Sequence, residues 1–183
     1  RLRCDWSSDV CSSDLRVLGV DCCDAFMDYG KKEAAEKGID NVSFANGDAL
    51  VMKFEPEYDF VFSRFGTMFF SNPVAALRNM RSALKPGGVV THIVWRTPDD
   101  NPWLSMAKDV VLRYLPPPGE DAQTCGPGPF SMASQEMVTG MMKSAGYENI
   151  EFERVDAPVL VGRTIEDAID RKSTRLNSSH TSI

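Results

Sequence analysis

The apolar positions of this chain fall into two rhythms. Val17 to Val20 is a short apolar run closed by Asp21, the pattern of a strand buried on both faces. After it, "AFMDYGKKEAAEKG" predicts a helix that Asp24 can cap and Gly38 can stop. "NVSFA" reads as a second strand that ends in the turn "NGDA", and "YDFVFSRF" as a third, rich in aromatic and β-branched residues. Pro73 opens a helix, "PVAALRNMRSALK". Val74, Leu77, Met80 and Leu84 lie three, three and four residues apart and share one face. "LKPGG" predicts a turn that ends it, and "GVVTHIVW" a fourth strand.

Strand, helix, strand, strand, helix, strand with short connections predicts an α/β domain with a mainly parallel sheet. Beyond Trp95 the pattern changes. "PWLSMAKDVVLRYL" predicts a helix and "PPPGEDAQTCGPGPF" a long Pro/Gly loop of the kind that forms lids and binding loops. "SQEMVTGMMKSAGY" reads as a helix ending at Gly146. "NIEFERVDAPVLV" reads as one more strand, alternating through Ile150, Phe152 and Val155, and "TIEDAI" starts a further helix.

The two ends have no such rhythm. "DWSSDVCSSDL" (Asp5 to Leu15) back-translates as GAC TGG AGT TCA GAC GTG TGC TCT TCC GAT C. "DRKSTRLNSSH" (Asp170 to His180) back-translates as GAT CGG AAG AGC ACA CGT CTG AAC TCC AGT C. The two strings are reverse complements along their whole length and resemble a sequencing adapter. Residues 1–15 and 170–183 are therefore expected to be translated adapter and are set aside from fold reasoning. Residues 16–169 are expected to be one partial domain, with 97–130 as its candidate substrate lid.

Charge and cysteine usage narrow the field. The formal net charge is −6; the ends carry −1 and +2, which leaves −7 for the interior. An acidic domain is a poor nucleic-acid binder, because phosphate binding needs a basic face. Interior Cys22, Cys23 and Cys125 show no framework spacing, which suits a reducing, cytoplasmic setting; Cys22 is expected to be a small buried hydrophobe. No apolar run approaches the length of a membrane span. His92 is the single interior histidine, so a metal site is not expected.

"RVLGVD", "NGDA", "YDFVFSRFGTMFF" and "LKPGGVV" stand in order and at fitting spacings. Together they resemble the class I S-adenosylmethionine-dependent methyltransferases, closest to the ubiquinone/menaquinone C-methyltransferase group. The resemblance implies a Rossmann-like sheet of order 3-2-1-4-5-7-6. It assigns the second to sixth strands to this chain and leaves out the first, with its glycine-rich loop, and the seventh. It implies S-adenosylmethionine as cofactor and a small-molecule acceptor. Asp21 would accept from both ribose hydroxyls, while Cys22 and Met27 lie toward the adenine. Gly47 would allow the close turn, Asp48 would accept from the adenine amino group, and the Ala49 N–H would meet a ring nitrogen. Ser63, Arg64 and Phe65 would border the methionine end. Met68, Phe69, Phe70, Trp95 and Trp103 are the candidates on the acceptor side. Asp21 and Asp48 can each also be read as capping or turn residues, Arg64 as a salt-bridge partner, and Met68 as core.

No catalytic residue is assigned. The sulfonium methyl is already activated, and the protein need only align the reactants and exclude water. A nicotinamide-dependent oxidoreductase is the nearest rival, but "SRFG" replaces its Asn-Ala-Gly and no Tyr-x-x-x-Lys is present. A non-catalytic binding domain is the other rival, since fold alone does not establish activity. Without the glycine loop the chain itself is expected to bind S-adenosylmethionine weakly or not at all, and to carry unpaired sheet edges that lower stability. The sequence does not define an oligomeric state.

Overall fold

The computed structural model describes residues 15–102, 112–114, 127–158, 160 and 164–166. Strand β1 (Val17–Asp21) leads into helix α1 (Asp24–Glu36), followed by β2 (Val42–Asn46) and β3 (Tyr58–Arg64). Helix α2 (Pro73–Ser82), β4 (Leu84–Ile93) and helix α3 (Gln135–Ser144) complete the main elements, with a 3₁₀ turn at Thr67–Phe69. Among the described residues the strands form two parallel pairs, β1 with β2 and β3 with β4.

Local chemistry explains the helix ends. Gly38 (φ +65°) follows α1. The Ile39 N–H donates to the Ala34 carbonyl and the Gly38 N–H to the Ala35 carbonyl, a Schellman closure that needs a left-handed residue. Gly146 (φ +92°) ends α3 in the same way, with Tyr147 N–H bonded to Met142 O and Gly146 N–H to Lys143 O. The side chains of Asn72 and Ser134 cap α2 and α3. The N-cap of α1 is Cys23, not Asp24, and it makes no side-chain cap bond. Asp24 is the first helical residue, and its carboxylate accepts from Asn46 Nδ2.

Helix α2 stops at Ser82, short of the predicted Lys85, because Leu84 is already paired with Tyr58. The next bridge joins Phe60 to Val89. β4 therefore takes up more residues than β3 between the two bridges, and Lys85–Gly88 bulges out with Gly87 at φ +81°. The predicted "LKPGG" turn is real in conformation but sits inside a strand.

The alternating stretch 150–158 is not a strand. A strand exists only through a ladder, and among the described residues this stretch has none to join. Most of the helix predicted from Pro102, the Pro/Gly loop, much of the "TIEDAI" segment and nearly all of the two ends lie outside the described residues.

The core sits on one face of β3–β4. Met68, Leu77, Met132, Val138, Met142 and Ala145 form it, with Val90, Val94, Trp95, Tyr147 and Ile150 packed around. The Tyr147 hydroxyl donates to the Leu77 carbonyl at 3.0 Å and so ties the end of α3 to α2. Burial pushes that phenol up to about 12.

Candidate cofactor site

Both ladders are parallel, so each pair ends its strands at a common rim, where open α/β sheets bind ligands. Asp21 ends β1 and faces Asn46 at the end of β2 in register. The Gly47 N–H donates to the Asp21 carbonyl at 3.0 Å, which stitches the two loops together. One oxygen of the Asp21 carboxylate (Oδ1) accepts from Cys23 N–H at 2.8 Å; Oδ2 accepts nothing among the described residues. The half-buried carboxylate is thus oriented with one oxygen free for a ligand donor.

Asp48 repeats the arrangement one loop on. It is exposed, and its Oδ1 accepts from Leu50 N–H at 2.8 Å, so it is a turn residue as well as a candidate ligand. Its carbonyl closes the same turn through Val51 and Met52. A side chain at Gly47 would meet Met52 Sδ at 2.9 Å, so the close approach, not a positive φ, favours glycine there. The Ala49 N–H donates to no backbone carbonyl among the described residues.

Asn79, which the sequence reading passed over, fixes this turn from outside. Its Nδ2 donates to Ala49 O at 2.8 Å and Met52 O at 2.6 Å, from the half-buried side of α2. The one signal in the sequence was an amide on a helix stripe otherwise flanked by apolar residues.

The remaining candidates divide. Cys22 is exposed, which corrects the expectation of burial: it lies past the end of β1, in the loop before α1. Met27 is buried at the first turns of α1. Ser63 is half-buried beside His92 in register, whereas Arg64 is exposed and enters no ion pair among the described residues. Phe65 holds a left-handed φ of +59° and stacks on Trp95 at 4.1 Å with a 10° interplanar angle. A bulky residue in that region is strained, and such strain clusters at ligand sites. Met68 is 1% exposed and belongs to the core, where its sulfur accepts from Trp95 N–H. It therefore does not face open space as an acceptor contact would. Phe69 is half-exposed, and Trp103 lies outside the described residues.

Beyond β4, Arg96 pairs with Asp156 at 3.0 Å and with Asp100, anchoring the stretch around 156 at the same rim. Hydrogen bonds from Arg96 and Thr97 hold the Asp100 carboxyl down at about 2. His92 is desolvated: both ring nitrogens are buried without a hydrogen-bond partner among the described residues, and burial lowers its imidazole to about 4. The lowered pKa makes the ring a weak proton acceptor. Among the described residues no helix is long and apolar enough to cross a membrane, and no cluster of potential metal ligands occurs.

Two parallel strand pairs flanked by helices, with acids at the carboxyl ends, define a Rossmann-like α/β domain. Residues 4–88 match the family described as "Methyltransferase domain". The ubiquinone/menaquinone biosynthesis C-methyltransferase of Klebsiella pneumoniae is 29% identical over 155 residues, 79% of this chain and 61% of the relative. The chain therefore spans about three fifths of that relative's length. A Bacillus subtilis protein, YcgJ, superposes with a TM-score of 0.60 at 19% identity, over 90% of this chain and 65% of that one. The S-adenosylmethionine-dependent methyltransferase SibL superposes at 0.54 and 20% identity, over 81% and 41%. The family match and the quinone-pathway relative together support a likeness to the class I S-adenosylmethionine-dependent methyltransferases.

Proposed function

We propose that this chain carries the adenosine-binding rim of an enzyme that transfers a methyl group from S-adenosylmethionine to a small-molecule acceptor. The observation that carries the reading is the pair of acids, Asp21 and Asp48, at the ends of adjacent parallel strands, the first with one oxygen left free. The residues fit the cofactor's donors. Asp21 suits two vicinal hydroxyls, and Asp48 with the Ala49 N–H presents an acceptor and a donor side by side, as an aminopurine edge requires. Ser63 to Phe65 would border the methionine end, with Phe65 held by Trp95.

The cofactor supplies an already activated methyl group, so the protein's tasks are alignment and exclusion of water. No side chain at the rim needs to act as a base. The Klebsiella relative is named for a quinone-pathway C-methylation. An apolar aromatic acceptor fits the exposed Phe69 and the Phe65–Trp95 stack, though 29% identity does not carry the acceptor over.

In this reading the described strands are the second to fifth of the family order, and no counterpart of the first strand, its glycine loop or the seventh strand occurs among the described residues. This chain alone is then inactive and binds S-adenosylmethionine weakly or not at all. Titration calorimetry with S-adenosylmethionine tests this directly; micromolar affinity would overturn it. In a longer form that binds the cofactor, Asp21→Asn and Asp48→Asn should each weaken binding about 10- to 100-fold, the range of a lost charge-assisted hydrogen bond. Unchanged affinity in both variants would sink the assignment of the rim.

A further inference from the structure

Asn46–Gly47 is the sole Asn-Gly step in the chain, and it stands where β2 meets the rim. Such a step is chemically labile. The Gly47 backbone nitrogen can attack the Asn46 side-chain carbonyl carbon, and glycine has no Cβ to crowd that approach. The N–Cγ bond forms, the Cγ–Nδ2 bond breaks, and ammonia leaves with the proton of the Gly47 N–H. Water then opens the cyclic imide at either carbonyl. One opening yields aspartate. The other yields isoaspartate, with the main chain rerouted through Cβ and Cγ. Water is the one co-reactant, and it has access: Asn46 and Asp24 beside it are both exposed.

Both reacting nitrogens are held by the segment that ends β1 and starts α1. The attacking nitrogen, Gly47 N–H, donates to the Asp21 carbonyl at 3.0 Å. The leaving nitrogen, Asn46 Nδ2, donates to the Asp24 carboxylate. The first bond points the nitrogen at β1, away from the carbon it must reach, and the second fixes the amide's rotation. Asn46 also faces Asp21 in register, so the ladder restrains its backbone.

We infer that Asn46–Gly47 is a deamidation site clamped shut by Asp21 and Asp24, and that it converts only when the β1–β2 pair opens. Conversion changes the rim. The aspartate form sets a carboxylate against that of Asp24, where a donor stood, and like charges repel. The isoaspartate form adds a methylene between β2 and the turn of Asp48, which breaks the register of Asn46 with Asp21 and the Gly47 hydrogen bond. A transient opening is thereby made permanent. Neither step depends on what the rim binds.

The test holds the full chain in mildly alkaline buffer, native or unfolded in urea. Mass spectrometry follows the peptide that contains Asn46, with chromatography to part aspartate from isoaspartate. The unfolded chain should convert, and the native chain should convert more slowly by about tenfold or more, since only its opened fraction reacts. Asn41 and Asn149, followed by Val42 and Ile150, are internal standards and should stay intact. Amide exchange at Gly47 is an independent measure, because the same N–H must be freed. The native-to-unfolded ratios of the two rates should agree within a factor of about three. Asp24→Ser keeps a residue suited to the start of α1 but one too short to hold Asn46 Nδ2. Folded by circular dichroism, it should speed native conversion about two- to tenfold, the range of one lost hydrogen bond, and leave the rate in urea unchanged. If that variant does not fold, the comparison with Gly47 exchange decides. No conversion in urea, equal rates in the native and unfolded chain, native conversion faster than Gly47 exchange allows, or a folded Asp24→Ser that matches the parent would each overturn the proposal. S-adenosylmethionine enters no readout, so failure of the cofactor reading leaves this test untouched.

Discussion

The two parallel strand pairs are alike in topology and unlike in packing. Of the ten buried apolar residues among those described, Met27 alone belongs to β1–α1–β2. The rest lie around β3–β4, α2 and α3, where Leu77 and Met68 are about 1% exposed. Yet the two acids proposed to hold the cofactor, Asp21 and Asp48, sit on the thinly packed pair. Parallel strands hold firmly only when apolar groups cover both faces. The first pair has α1 on one face, and Gly19 and Gly30 both leave room for the Phe44 ring there. The half that packs well is thus not the half that carries the candidate chemistry. Elements that take part in binding are commonly drawn from the less stable end of a structure.

The sharpest way to break this comparison is to cut into each half equally. Leu77→Ala should cost about 2–5 kcal/mol, because the side chain is fully enclosed by α2, α3 and the β3–β4 face. Met27→Ala should cost about 2 kcal/mol or less, the low end of the same range, because its surroundings are open enough to collapse. Urea unfolding followed by circular dichroism measures both. Equal losses would mean that the two halves share one core after all.

A second difference shows in pH. His92 lies in the well-packed half with both ring nitrogens buried, and burial takes its imidazole from the ordinary 6.5 to about 4. Above about pH 6.5 the ring is neutral in the folded and unfolded chain alike and contributes no pH dependence. Between about 6.5 and 4 the unfolded chain takes up a proton that the folded chain refuses. Stability therefore falls as pH falls through that window, by at most about 3.5 kcal/mol. His92→Leu should remove this component of the slope. If the variant and the parent lose stability in parallel from pH 7 to pH 4.5, the ring is not desolvated in solution.

What could be read from the sequence follows the same division between local and distant causes. The strands at Val17, Val42 and Tyr58 and the stops at Gly38 and Gly146 were legible, because each rests on residues within a few positions of one another. The alternation through Ile150, Phe152 and Val155 was just as clear and produced no strand, since pairing depends on a partner that the pattern cannot name. The Lys85–Gly88 bulge needed knowledge of which residues of β3 lie opposite. At the rim, the acids Asp21 and Asp48 stood out by their place after strands. Asn79, which reaches the turn of Asp48 from a helix about 30 residues later, did not. Nor did the Phe65–Trp95 stack, which joins the ends of two strands. Cys22 was misjudged because a cysteine beside an apolar run looks buried until the strand is seen to end one residue earlier.

The smallest expected effect addresses the capping difference between the halves. Asn72 caps α2 through a hydrogen bond to Ala75 N–H at 3.1 Å, and Ser134 caps α3 through Met137 N–H at 3.3 Å. Cys23 occupies the same position on α1 in an extended conformation (φ −99°, ψ 111°), the backbone geometry of a capped helix, but offers no side-chain bond. A serine hydroxyl is smaller than the thiol and a stronger acceptor, so Cys23→Ser places a cap where the backbone already suits one. The variant should gain about 0.5–1 kcal/mol, read as a rise in the urea midpoint without a change in slope. The reverse changes, Asn72→Ala and Ser134→Ala, should each lose a similar amount. The gain at Cys23 should appear only in probes of the first half if the two pairs unfold separately, and in every probe if they unfold as one. An unchanged midpoint in Cys23→Ser, with the two losses intact, would mean that α1 is held by its packing on Phe44 and the β1–β2 pair and not limited by its open first turn.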